Sequence, residues 1–150
     1  MSGPLTIVPE GNHALREHLA LFIQQQDVIH STRILLELLE GPVELFVHVT
    51  RKVGAAEEPP ITADDLSLMQ MEGGMPVLMI LASTKLTPDH LSTDLEAQGV
   101  FVRRLPSKEL ILMCRQRGIV AIELDAGLFP GVLVGPFLAG RDLMITLAPE

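Results

Sequence analysis

Met75-Pro76-Val77-Leu78-Met79-Ile80-Leu81-Ala82-Ser83-Thr84, with Thr87-Pro88-Asp89-His90 close behind, is the stretch that decides the fold. Its five apolar residues at 77–81 predict a strand, which empties into small and hydroxyl side chains. Thr87 is an N-cap residue type and Pro88 suits a first helical position, so a helix is expected to follow and to end near Gln98-Gly99. Upstream, Gly73-Gly74 separates this strand from another at 66–72, the spacing of a hairpin. Downstream the alternation continues. A short strand at 100–102 leads to a helix capped by Ser107, with Leu110, Ile111 and Cys114 inward and Gly118 as terminator. The unbroken apolar run 119–122 then predicts a strand covered on both faces.

Towards the N-terminus, residues 1–11 hold Gly3, Pro4, Pro9 and Gly11 and read as an arm, with an extended piece at 5–8. A helix over 12–26 has Asn12 as its N-cap and Leu15, Leu19, Phe22 and Ile23 on one stripe. A second, over 31–40, turns Ile34, Leu35, Leu38 and Leu39 to one side and stops at Gly41-Pro42. Residues 43–50 alternate: Val43, Leu45, Val47 and Val49 face the core, and Glu44, Phe46 and His48 face away. Residues 51–63, with Gly54, Pro59 and Pro60, form a flexible loop. A Gly/Pro-rich stretch at 127–140 precedes a last strand at 143–147. The expected architecture is one α/β (mixed α+β) domain over residues 1–150, a mixed sheet of about five strands flanked by helices.

Composition removes several functional classes. A net charge of −8 and the absence of Trp and Tyr argue against nucleic acid, which is held by Lys, Arg and stacking aromatics. A single cysteine, Cys114, permits no internal disulfide. The longest apolar span, 34–49, is broken by Glu37, Glu40, Gly41, Pro42 and Glu44, so no membrane span is expected and the setting is cytoplasmic. Hydrophobic residues reach 47% although aromatics are only five Phe. That aliphatic surplus predicts an apolar surface covered by another protein or by a second copy of the chain.

Candidate sites are few. Ser83, Thr84 and Thr87 sit where a strand gives way to a helix N-terminus, a place able to hold an anion, and Asp125 ends the neighbouring strand. The alternatives here are ordinary helix capping and a small-molecule or anion-binding site, for which hydrolysis is one option. Against such a site, the loop has no glycine to admit a phosphate, and Asp89 would repel one. Glu123 and Asp125 share a strand face, where Arg103 and Arg104 would compensate their charge. His13 and His18 diverge on their helix and no Cys-x-x-Cys exists, so neither a metal nor a cofactor is expected. Cys114 and the methionines 69, 71, 75 and 79 read as core. Glu44, Phe46 and His48, with Phe46 half exposed, form the candidate interaction surface. The leading expectation is a non-enzymatic interaction or regulatory module that self-associates.

The order of these elements resembles the N-terminal domain of the SseB family, the enhanced-serine-sensitivity or type III secretion SseB-like proteins. It rests on the helix 34–40 leading into 43–49, on Met75 to Ser83 followed by Thr87-Pro88-Asp89-His90-Leu91, and on Ser107 to Arg117 followed by Gly118-Ile119-Val120-Ala121-Ile122 and Asp125-Ala126-Gly127. It covers roughly residues 30–135. The resemblance implies a small cytoplasmic bacterial α/β protein with no established activity, and carries no catalytic residue onto this chain.

Overall fold

The computed structural model describes residues 7–50, 62–68, 79–86, 97–125, 131–137 and 142–147. Its helices are α1 (His13–Gln25), α2 (Val28–Glu40) and α3 (Ser107–Arg117). Its strands are β1 (Glu44–Val49), β2 (Met79–Ser83), β3 (Phe101–Pro106), β4 (Ala121–Asp125), β5 (Val132–Gly135) and β6 (Met144–Leu147). They form one six-stranded mixed sheet in the order β3-β1-β2-β4-β5-β6. Only β2 and β4 run parallel; every other neighbouring pair is antiparallel.

The chain is thus a single-domain α/β fold, with six strands among the described residues where about five were expected, one of them at a place read as loop. That strand, β5, lies inside the Gly/Pro-rich stretch. It is short because Gly131 and Pro136 bracket it, and Val132 and Val134 are buried while Leu133 is half-buried. A β-carbon on Gly135 would collide with the Val120 carbonyl oxygen, so glycine is what lets β5 approach the start of β4. The strand expected at 119–122 begins two residues later, and Val120 is half exposed rather than enclosed. At 66–72 the described residues show only an isolated bridge, Leu66 to Val49, after a 3-10 turn at Ala63–Asp65. Arg117 fastens that turn, donating from Nη1 to the carbonyls of Ala63 and Leu66 at 3.1 and 2.8 Å. The Gly73-Gly74 turn, Met69, Met71, Met75, residues 1–6 of the arm, residues 51–61 of the loop and the helix start at Thr87 lie outside the described residues.

The core lies on one face of the sheet. Leu15, Leu19 and Phe22 of α1, Ile34 and Leu38 of α2, and Leu110, Ile111 and Cys114 of α3 close over Leu45, Val47, Val49, Ile80, Ile122 and Val134. The alternation in β1 therefore assigns the core face correctly. Helix α3 ends as expected, with Gly118 at φ +70° accepting the left-handed turn. Helix α2 starts three residues earlier than the spacing suggested. Asp27 is its N-cap, taking the His30 N–H on Oδ1 at 3.0 Å, so Val28 and Ile29 become helical.

Two polar residues read as caps have other roles. Neither Asn12 nor Ser107 caps the helix that follows it. Asn12 is fully buried and donates from Nδ2 to the carbonyls of Glu44 (2.7 Å) and Thr84 (2.9 Å), while its Oδ1 accepts the Glu44 N–H. Ser107, also fully buried, donates its hydroxyl to the Leu38 carbonyl at 2.6 Å and its N–H to Val43 at 2.9 Å. These are cross-ties between distant segments.

Candidate functional site

Parallel pairing of β2 with β4 sets Ser83 directly beside Asp125, so the backbone brings these two candidates together at the strands' C-terminal ends. Thr87 and the side chain of Asp125 lie outside the described residues. Ser83 is almost fully buried. Its hydroxyl donates to the Lys85 carbonyl at 2.6 Å and accepts the Lys85 N–H at 3.2 Å, a local turn that engages the oxygen. Thr84 is fully buried; its carbonyl is held by Asn12, and its Oγ1 has no hydrogen-bond partner among the described residues. Above this corner Ile7 and Leu86 exchange two backbone hydrogen bonds, 2.9 and 2.8 Å. Ser83 and Thr84 are both closed off from solvent. Arg103 and Arg104 stand on β3, with β1 and β2 between them and β4. Three strand spacings, about 14 Å, keep them from compensating Glu123 or Asp125.

Arg104 instead forms a forked ion pair with Glu44, Nη2 to Oε1 at 2.7 Å and Nε to Oε2 at 3.0 Å. Hydrogen bonding to that guanidinium holds the Glu44 carboxyl below its ordinary range and raises Arg104 in return. The guanidinium also lies over the Phe46 ring, 5.8 Å from its centroid. Phe46 is 6% exposed rather than half exposed, and His48 is half-buried beside it. Glu44, Phe46 and His48 do share one face of β1, but the aromatic ring at its centre is already covered.

Among the described residues no group of three or more His, Cys, Asp and Glu side chains converges to hold a metal. His18 meets His30 across the α1–α2 corner, ring centroids 5.9 Å apart, and His30 Nε2 stands 4.0 Å from Asp27. Cys114 is fully buried, and burial pushes its thiol up to about 12, far from a nucleophile's range. A thiol reagent at pH 8 is expected to label the folded protein at least ~100-fold more slowly than the urea-unfolded chain. A native rate near the unfolded one would put the thiol within reach of solvent. The same burial makes stability fall as pH rises from about 9 towards 12, because the unfolded chain sheds this proton and the folded one keeps it.

Among the described residues the largest apolar exposure lies elsewhere. Val28 (77%), Ile29 (69%), Leu36 and Leu39 on α2 stand out in solvent, and Met144 (61%) does so on β6. Leu39, expected in the core, is among them. At 3.6 residues per turn, Val28, Ile29, Thr32, Leu36 and Leu39 fall on one arc, next to the buried arc of Ile34 and Leu38. Between this arc and β6 runs a groove of about 370 Å³, lined by Phe22, Val28, Leu35, Leu143, Met144 and Ile145 among others. The signal for this surface was present in the sequence as an apolar surplus on α2, more than one buried stripe needs. Starting the helix at Ser31 hid its first two members.

Among the described residues no helix is long and apolar enough to cross a membrane. No protein-family model, curated protein or solved structure matches this chain.

Proposed function

We propose that this chain is a non-enzymatic interaction module that works through the outer face of α2 and the neighbouring edge of β6. The observation that carries this is the exposure of Val28, Ile29, Leu36 and Leu39 along one arc of α2, together with the open groove that Val28 shares with the exposed Met144 of β6. Five scattered side chains would be ordinary surface; five on adjoining elements form a patch on the order of 500 Å², the upper range for a free monomer. The SseB-like kinship and a cytoplasmic setting are part of the same proposal, supported by the helix-strand order and by a lone buried cysteine.

The alternative, an anion or small-molecule site at Ser83, Thr84, Thr87 and Asp125, gains no opening from the described geometry, because Ser83 and Thr84 are enclosed. A photo-crosslinking amino acid placed in living cells at Val28 or at Met144 is expected to give protein adducts. The same group at Lys108, exposed on α3, gives roughly tenfold less. Equal yields at all three positions would refute the proposal.

A further inference from the structure

We infer that the occupant of this surface is a second copy of the chain, its β6 pairing antiparallel with β6 across a two-fold axis to make one continuous sheet. This rests on the interaction-module reading and names its partner. The two sheet edges differ in the way edges that stay free and edges that pair differ. At one end β3 carries Arg103, Arg104 and Pro106, the charge and proline that keep strands from adding. At the other, β6 reads Met144-Ile145-Thr146-Leu147, with no charge and no proline, and among the described residues it pairs only with β5.

A strand added to β6 would send its inward side chains over the groove between β6 and α2, against Phe22, Leu35 and Leu143. In a two-fold arrangement the same operation brings α2 against its mate. The exposed arc of Val28, Ile29, Thr32, Leu36 and Leu39 is then covered in the same step. One symmetric contact therefore accounts for both unpartnered features. It would take the ~500 Å² patch as the apolar part of the roughly 800 Å² that a standard interface buries per partner.

Charge favours a copy over an unrelated protein. The chain carries −8, so two copies repel through most of their surface. Neither β6 nor the exposed arc of α2 holds a charged side chain; the carboxylates nearest the contact, Asp27 at the N-cap of α2 and lining the groove and Asp142 two residues before β6, stand at its margins. A basic partner would find only these two marginal carboxylates to pair with, and none on the arc or the strand. An apolar surface matched to itself needs no complementary charge.

Sedimentation velocity on the full chain, from low micromolar to several hundred micromolar, is expected to show a monomer–dimer equilibrium. Met144→Lys and Val28→Asp change exposed positions and leave the core intact. Each is expected to weaken self-association at least tenfold, whereas Lys108→Glu leaves it unchanged. Hydrogen exchange adds a readout specific to strand pairing: the amides of residues 144–147 should slow as concentration crosses the transition. A wild-type chain that stays monomeric throughout overturns the inference. So does a dimer indifferent to Met144→Lys with unchanged exchange in β6. A monomer that still crosslinks from positions 28 and 144 to a different protein sinks the second copy alone, whereas missing crosslinks sink the interaction module itself.

Discussion

Phe137→Ala is expected to destabilise the protein by about 4 kcal/mol, read as a fall in the urea midpoint at unchanged m-value. Phe137 is fully buried and heads the fully buried side chains by volume. Its N–H donates to the Ile119 carbonyl at 3.0 Å, which pins the segment after β5 to the entry of β4. The ring belongs to the same core cluster as Ile119, Ile122 and Val134. Those neighbours lie on or just before sheet strands, so they can move little into the space a truncation leaves, and the cavity term adds to the lost transfer energy. Phe137→Leu keeps much of the volume and should recover more than half of the loss. A cost below 1 kcal/mol for Phe137→Ala would mean that the ring is not the keystone its burial implies.

Nothing local announces Phe137. It sits in Gly131-Val132-Leu133-Val134-Gly135-Pro136-Phe137, where glycine and proline at both ends read as loop. What makes 132–135 a strand is tertiary: β4 offers one open edge and β6 takes the other. Helices α1 and α3 were legible because one buried stripe repeats within each of them, and β1 because its two faces alternate in six residues. The candidate site was legible only in outline. Ser83 and Asp125 do end adjacent strands. The ties that hold the chain just after Ser83, from Asn12 to the Thr84 carbonyl and from Ile7 to Leu86, come from more than seventy residues away and leave no trace near it. The apolar arc of α2 was present in the sequence as surplus leucine and valine. Only burial separates Leu38, which is enclosed, from Leu39, which is not.

Asn12→Ala is expected to cost about 3 kcal/mol, and the size of that loss separates two roles for the residue. As a helix cap, Asn12 would contribute ~1 kcal/mol, and aspartate would serve equally well or better beside the positive end of the helix dipole. As the buried tie seen here, it serves three backbone groups: the Glu44 carbonyl, the Thr84 carbonyl and the Glu44 N–H. Alanine strands them at roughly 1–3 kcal/mol for each group left unpaired, most at the buried Thr84 carbonyl and less at the part-buried Glu44 groups or where a carbonyl keeps a second partner. Asn12→Asp discriminates further. The ionised carboxylate still accepts from Glu44 N–H but points its other oxygen at two carbonyls with no proton to offer. Only the neutral acid can donate, so folding favours the protonated form and raises the folded pKa above the ordinary ~3.9. Above that value the unfolded chain ionises while the folded one resists, and the deficit of Asn12→Asp grows with rising pH. Urea titrations at pH 4.5 and 7.5 should therefore show the aspartate variant losing ground against wild type at the higher pH. An aspartate variant as stable as wild type at pH 7.5 would return Asn12 to the status of a cap and remove the tie between α1, β1 and β2.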